Sequence, residues 1–292
     1  MTTTQYDAIG AKYMMMKQLP TARLERSNLH AAIADHIKGA RVLDLACGAG
    51  YYSRLLLEWG AASVVGVDIS PAMVAAAQHE AQSLSPDTAS RMSFRVGDAI
   101  NVGKIDPKGF DLALGPWLLN YAGTEDELTA MFSTISANLN GPGAIFAGIT
   151  PPPVKGADMD AFAAWANSTA AQDKMRGVTR VTQSYYQRNE RMPEGEGGWR
   201  VEVTALDEKG GAAVQFRNYH LPVEVYERAM KGGGMEGRVE WLEVKLRDDV
   251  REESVAEFGE ELFKTYLEDM GAHFGVLVVA KGTDDDSSSL GV

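Results

Sequence analysis

Apolar residues follow two regimes along the chain, and the change-over comes at Pro151-Pro152-Pro153. Before it, short apolar runs alternate with stretches of helical spacing. Residues 41–47 form an apolar run ending in glycines, which predicts a buried strand, and residues 51–59 follow with helical spacing, stopped by Gly60. Residues 62–67 predict a second strand. Ser70 and Pro71 suit the N-cap and first position of an Ala-rich helix to about residue 83. Residues 92–96 and 110–114 predict the third and fourth strands. Thr124, followed by Glu125, Asp126 and Glu127, predicts a helix to about residue 139 with negative charge at its positive end. Residues 144–149 give a fifth strand. Strands alternating with helices imply a parallel sheet covered on both faces.

After the three prolines the period changes. Residues 158–174 predict one helix with Asp158 as N-cap. Residues 178–192, 199–206 and 212–221 alternate apolar and polar positions, and the turn-rich stretch 207–211 separates the last two. This predicts a small antiparallel sheet inserted into the main domain. Residues 223–230 return to helix. Residues 238–246 and 275–280 predict two more strands with a helix at 257–270 between them. The expected fold class is α/β: a Rossmann-like, mostly parallel seven-stranded sheet with helices on both faces and an inserted antiparallel β cap. The corresponding division is 1–40 as an N-terminal helical segment, 41–150 as the core, 151–222 as the cap, 223–281 as completion of the core, and 282–292 as a tail. Three Asp and three Ser make that tail a candidate for disorder.

Composition narrows the function classes. The chain has 292 residues, 28 Lys+Arg against 40 Asp+Glu, and a formal net charge of -12. That balance disfavours broad nucleic-acid binding, which wants clustered Lys and Arg, and docking on an anionic membrane. No apolar run approaches the roughly 20 residues that span a bilayer, and the first 13 residues lack a secretory signal's pattern, so the cytosol is the expected compartment. The lone Cys47 can make neither an internal disulfide nor a cysteine zinc cage, and no His/Asp/Glu spacing suggests a metal site.

The sharpest chemical feature is Val42-Leu43-Asp44-Leu45-Ala46-Cys47-Gly48-Ala49-Gly50, which leaves the first strand and enters the first helix of the sheet. Its glycines let a ligand approach the backbone, and the helix start offers free N–H groups. Asp68 ends the second strand, where a carboxylate can accept both ribose hydroxyls of a nucleoside. A dinucleotide-binding oxidoreductase is one reading. Against it, Ser53 stands where the third glycine of G-x-G-x-x-G belongs, and Asp44 would repel a pyrophosphate. A ligand carrying an ammonium and a sulfonium would be attracted instead.

These residues resemble the class I S-adenosylmethionine-dependent methyltransferases, closely from about residue 6 to 150 and loosely in the later strands. Their acidic residue and glycine-rich turn match Asp44 to Gly50, with Ala46 in place of the commoner first glycine and Gly48 and Gly50 retained. Their ribose-binding acid matches Asp68, with Ile69 and Met73 placed to flank the adenine. Their third motif matches Gly97-Asp98-Ala99, which implies Asp98 accepting from the adenine amino group and the Ala99 N–H facing the ring. Their fourth matches residues 110–117, including Gly115 and Trp117. The stretches Trp117-Leu118-Leu119-Asn120-Tyr121-Ala122 and Tyr6-Asp7-Ala8-Ile9-Gly10 look like toxoflavin-synthase-type small-molecule methyltransferases.

The resemblance implies S-adenosylmethionine as cofactor and methyl transfer to an O or N atom of a small-molecule acceptor, a secondary metabolite among the candidates. It also places Tyr6 and Tyr13 in a lid over the cofactor, with Met14, Met15 and Met16 as an adaptable apolar lining. A protein that keeps the cofactor fold without transferring methyl is the other alternative. His220, at the end of the cap sheet, is a candidate general base, since imidazole titrates near neutral pH; a hydrogen-bonded sheet-end histidine is the plainer reading. Trp165, Tyr185, Tyr186 and Trp199 are candidates for packing the cap or for holding an aromatic acceptor. Asp111 and Cys47 read as structural, His30 and His36 as surface or packing residues, and His79 and His273 as histidines without a recognisable partner. Oligomeric state is left open.

Overall fold

The computed structural model describes residues 4–186, 198–207 and 209–282. In chain order the strands are β1 (Arg41–Leu45), β2 (Ser63–Asp68), β3 (Met92–Val96), β4 (Leu112–Leu114), β5 (Ile145–Thr150), β6 (Val181–Tyr186), β7 (Trp199–Leu206), β8 (Ala212–His220), β9 (Val239–Leu242) and β10 (Gly275–Ala280). Seven of them form one sheet in the order β3-β2-β1-β4-β5-β10-β9. The five on the β3 side run parallel, and β10 is antiparallel to both β5 and β9. This is the mostly parallel seven-stranded sheet that the alternating pattern predicts. The strand order reverses at β1, between β2 and β4, and ligands of such sheets bind outside the carboxyl ends of the strands at that point.

The helices are α1 (Gln5–Ile9), α2 (Pro20–Ile37), α3 (Tyr51–Glu58), α4 (Pro71–Gln82), α5 (Pro86–Ser90), α6 (Glu125–Asn138), α7 (Met159–Ala166), α8 (Thr169–Thr179), α9 (Val223–Gly232), α10 (Asp248–Phe258) and α11 (Glu260–Lys264). Residues Gly10–Gln18 continue α1 as a 3-10 helix. Alternation along β1 and β4 sorts the core. Val42, Leu112 and Leu114 pack with Leu24, Leu29, Ile33 and Leu56 on one face. Leu43, Leu45 and Ala113 pack with Phe132, Ile135 and Tyr226 on the other. Each fully buried Leu, Ile or Phe contributes roughly 1.5–3 kcal/mol. Ser70 and Thr124 cap α4 and α6 as expected, their hydroxyls accepting from Met73 N–H and Glu127 N–H at 3.2 Å.

β6, β7 and β8 form the separate antiparallel sheet, and Asp207 turns the chain from β7 to β8 by accepting from the N–H groups of Lys209 and Gly211 at 2.8 Å. Residues 187–192 of the expected first cap strand and residues 283–292 of the tail lie outside the described residues.

Four expectations need correction. The helix expected over 158–174 is two helices. Asn167 exits the first to bond the backbone of Tyr185 in both directions at 2.7 Å, and Ser168 caps the second; Asp158 makes no cap bond. The strand expected over 238–246 stops at Leu242, because Asn28 of α2 takes over the backbone of Lys245, donating to its carbonyl at 2.7 Å and accepting its N–H at 3.0 Å. The strand expected over 110–114 starts at Leu112, since Phe110 bridges to Leu139 instead. Asp111 there has a structural role, accepting from Arg41 N–H and the Asn140 amide at 2.9 Å. The helix expected over 257–270 begins at Asp248, breaks at Gly259 (φ +81°) and ends in a π turn, Thr265–Asp269.

Candidate active site

Three residues with positive φ wind the chain between β1 and α3: Ala46 (58°), Gly48 (55°) and Gly50 (82°). Holding Ala46 there costs on the order of 1–2 kcal/mol, which the surrounding bonds must offset. Cys47 N–H donates to Val67 O at 3.1 Å, and Gly48 N–H donates to Asp68 Oδ2 at 2.8 Å. Ser70 N–H donates to Asp68 Oδ1 at 2.9 Å. Asp68 thus ties the glycine loop to the start of α4. Burial pushes its pKa up, and the Ser70 and Gly48 N–H groups oppose that shift. The two glycines differ in role. A Cβ on Gly48 would meet nothing within 4 Å, so it faces open space, whereas one on Gly50 would lie 3.3 Å from Ala77 and Phe94 side-chain carbons.

A cleft of about 600 Å³ opens on this loop, lined by Tyr6, Tyr13, Met14, Lys17, Ala46, Cys47, Gly48, Asp68, Met73, Trp117 and Tyr121, among others. It adjoins a second opening that shares Tyr6, Ala46, Asp68 and Tyr121 and adds Ile69, Gly97, Asp98 and Ala99. Eleven of the expected cofactor residues therefore converge on one connected region. Three do not reach its wall. Gly50 packs under the loop, and Gly115 has no room for a Cβ, which would sit 2.8 Å from the Phe146 ring. Asp44 lies one layer behind. It is fully buried, accepts from Ser53 Oγ at 2.5 Å through Oδ2, and has no partner for Oδ1. Burial raises its pKa to about 7, against the Ser53 bond. Cys47 packs on Gly66, and burial pushes its thiol well above the ordinary range, which leaves it inert.

The N-terminal segment straps the cleft to the cap. Gln5 bonds Arg217 of β8 twice, donating to its carbonyl at 2.9 Å and accepting its N–H at 3.0 Å. Asp7 accepts from Ser70 Oγ at 2.6 Å, beside Asp68. Between these anchors the Tyr6 and Tyr121 hydroxyls bond each other, and the rings of Tyr6 and Tyr13 meet edge to face at 5.5 Å. Burial holds all three phenols protonated. Of the three methionines, Met14 lines the cleft, and Met15 and Met16 pack against the cap core.

Beyond the cleft lies a second chamber of about 490 Å³, with Tyr13, Lys17 and Trp117 as shared walls. Trp117 has φ +62°, an uncommon conformation for a bulky residue, held by its N–H donating to Ile149 O at 2.8 Å. Strain of this kind clusters at functional sites.

Sequence reasoning missed four residues here. Lys17 and Glu25 form a buried pair at 3.0 Å; burial alone would lower the Lys17 pKa, but Glu25 and Tyr13 more than offset it. Asn120, 1% exposed, has no partner for either atom of its amide. His273, expected to lack a partner, has two: its Nδ1 bonds the Tyr266 hydroxyl and its ring stacks on Trp117 at 6.0 Å. The charged pair has one faint signal in the sequence, a lysine that directly follows three methionines. The others come from segments far apart in the chain.

His220 is not brought to either cavity. It is 1% exposed, its Nε2–H donates to Pro152 O at 2.9 Å, and its Nδ1 accepts from Tyr185 OH at 3.3 Å. Burial lowers its pKa to about 4, so it is already neutral at pH 7 and does not titrate in the range a base role needs. His220→Ala is therefore expected to destabilise by about 2–4 kcal/mol, from the cavity and two unpaired polar groups. Thermal unfolding measures this. Calorimetry on the same variant should find the affinity for S-adenosylhomocysteine within twofold of wild type. A lost methyl-transfer rate at unchanged stability would return His220 to the site. Tyr185 shares its cap core, Trp165 and Tyr186 are exposed, and Trp199 packs on the cap; none lines the chamber beyond Trp117. His30 stacks on Trp59 at 4.5 Å, the packing role expected of it.

Residues 42–143 match the methyltransferase domain family. Among solved structures, an S-adenosylmethionine-dependent methyltransferase from Mesorhizobium loti superposes with a TM-score of 0.52 at 19% identity, covering 88% of this chain and 97% of that one. The CcbJ methyltransferase from Streptomyces caelestis superposes with a TM-score of 0.54 at 16% identity, covering 90% of each chain. At these identities the likeness is one of fold. An uncharacterized protein from Haemophilus influenzae is 27% identical over 114 residues, which is 39% of this chain and less than half, 43%, of that protein. Residues 42–143 thus carry a methyltransferase domain, and the chain as a whole has the fold of the class I S-adenosylmethionine-dependent methyltransferases.

Proposed function

We propose that the cleft holds S-adenosylmethionine and that the chain methylates an O or N atom of a small molecule, such as a secondary metabolite, held in the chamber beyond Trp117. The observation that carries this reading is the shared wall: Tyr13, Lys17 and Trp117 line both cavities, so a donor in one meets an acceptor in the other. Its aromatic and apolar walls with a few polar groups among them suit a small molecule.

The residues fit the cofactor. Asp68 keeps free lone pairs for ribose hydroxyls after accepting two N–H bonds. Asp98 and Ala99 line the opening where an adenine would lie, with Ile69 and Met73 to flank it. The orphaned Oδ1 of Asp44 suits a cation just beyond the loop. When bound, S-adenosylmethionine would supply a methyl on a positively charged sulfur, for an acceptor lone pair to take as the C–S electrons stay on sulfur and the acceptor's proton passes to solvent. The chain's own work is alignment and exclusion of water, by the Gln5–Asp7 strap and the aromatic wall of Tyr6, Tyr13 and Tyr121. Protonated phenols give that wall hydrogen bonding without charge, and a neutral His273 does the same in the chamber beyond.

Calorimetric titration with S-adenosylhomocysteine against NAD tests the cofactor, and tight NAD binding would sink this reading. Label transfer from methyl-labelled cofactor into a metabolite extract tests turnover.

Asp44 gives a pH test. Its raised pKa, about 7, means the free protein prefers the protonated carboxyl. The stability this contributes is full below pH 4 and lost as pH rises through 7. A bound ammonium reverses the preference, so binding below pH 7 should expel a proton. Calorimetry in buffers of different ionisation enthalpy should find about three-quarters of a proton released at pH 6.5, fading above pH 8. Asp44→Asn should abolish the linkage and weaken binding about 10- to 100-fold, since attraction across the loop between a buried carboxylate and a nearby cation contributes on the order of 1.5–3 kcal/mol. Proton release unchanged in that variant would assign it elsewhere.

A further inference from the structure

We infer that the chamber beyond Trp117 selects an uncharged, planar acceptor that carries a hydrogen-bond donor and acceptor side by side, as in a lactam, and that the side-chain amide of Asn120 reads this edge. The inference rests on the reading that the neighbouring cleft holds the methyl donor. It starts from an imbalance. Asn120 sits in the 3-10 turn Leu119–Tyr121 that follows β4, is 1% exposed, and leaves both Oδ1 and Nδ2 without a partner while lining the chamber. A buried polar group without a partner is costly, and native proteins leave few of them.

Other asparagines of this chain show what an amide does when it is satisfied. Asn28 pairs with both the N–H and the carbonyl of Lys245, and Asn167 with both those of Tyr185. Buried Asn138 donates to the carbonyls of Gly103 and Thr134 and accepts the N–H of Ile105. In the first two cases the partner is the N–H and the carbonyl of one residue, a donor and an acceptor side by side. Asn120 presents the same two-atom edge to the chamber, and among the described residues no group of its wall, the Gln183 and Asn218 amides included, bonds either atom. A ligand with N–H beside C=O completes it.

Charge and shape narrow the class further. The ionised groups on the chamber wall, Lys17 and Glu25, neutralise each other at 3.0 Å, so nothing is left to balance a charged acceptor in a buried space. Burial holds His273 neutral, its pKa lowered to about 4. With Nδ1 accepting from Tyr266 OH, its proton sits on Nε2, so it offers a further donor and no charge. Tyr13, Trp117 and Phe216 supply aromatic walls, which favour a flat ring.

The test uses the full chain loaded with S-adenosylhomocysteine and three probes: carbostyril, an uncharged lactam; N-methylcarbostyril, which lacks the N–H; and quinaldate, which carries a carboxylate. Calorimetry should find carbostyril binding at least 10-fold more tightly than either of the others, because a site built to pair a group rejects the analogue that lacks it. Asn120→Leu should lose at least 10-fold in carbostyril affinity, keep the S-adenosylhomocysteine affinity, and raise the Tm of the free protein by about 2–4 °C as two unpaired atoms disappear. A merely structural asparagine would lower the Tm instead. Absent carbostyril binding, quinaldate binding as tightly, or an unchanged carbostyril affinity in the variant would overturn the inference. Should the variant not fold, the three-probe comparison on the wild-type chain decides alone. Failure of the wild-type chain to take up S-adenosylhomocysteine would instead overturn the reading on which the inference rests.

Discussion

Gly48→Val is expected to leave a folded protein whose affinity for S-adenosylhomocysteine has dropped at least about 100-fold, a loss of roughly 2.7 kcal/mol. Two features of the loop separate binding from folding here. Gly48 sits at φ +55°, where a β-branched residue costs on the order of 1–2 kcal/mol, a tolerable loss for a domain of this size. A Cβ built on it meets nothing within 4 Å, so the free protein has room for the side chain. That room is the cleft, and the valine would fill it where a ligand's amino-acid end approaches the backbone. Gly50→Val is the contrast. Its Cβ would lie 3.3 Å from Ala77 and Phe94 atoms, so it should lower the Tm sharply. Thermal unfolding and calorimetry on the pair decide the matter. A folded Gly48→Val chain with normal affinity would show that the loop is not the binding site.

What could be read from the sequence follows the range of the interactions involved. The capped starts of α4 and α6 are fixed by neighbours three residues away, and the glycine loop and Asp68 are announced by their residue types at strand ends, although the bond between them spans 20 residues. The interrupted elements are fixed by distant partners. Asn167 breaks the expected helix because its amide is claimed by Tyr185, and β9 stops short because Asn28, from α2, substitutes for a neighbouring strand at Lys245. Neither asparagine differs in sequence from an ordinary surface residue. The second chamber belongs to the same category. Lys17 and Glu25, Asn120 and His273 come from three separate parts of the chain and acquire meaning only when the cap closes over them. His220 shows the opposite error. Its chemistry suits a base, but a histidine's role depends on what surrounds the ring. Here the surroundings are Pro152, Tyr185 and Phe162, whose ring lies 5.3 Å away.

Asp68→Ala should lower S-adenosylhomocysteine affinity by about 100- to 1,000-fold, more than the roughly 1.5–3 kcal/mol of a charged hydrogen bond to ribose alone. The excess comes from the loop. Asp68 accepts the N–H of Gly48 at 2.8 Å and that of Ser70 at 2.9 Å, so alanine frees the backbone on both sides of the cleft. It also removes the anchor beside which Asp7 fastens the N-terminal strap to Ser70. The two contributions can be separated with a smaller ligand. Adenosine and dideoxyadenosine differ only in the hydroxyls that Asp68 would take. The wild-type chain should prefer adenosine at least about 10-fold, and Asp68→Ala should bind the two equally, since the cycle isolates the pairwise interaction. Loss of affinity for both ligands with the preference retained would mean that Asp68 acts only through the loop. The ribose hydroxyls would then have to find their acceptor among the other residues of the cleft.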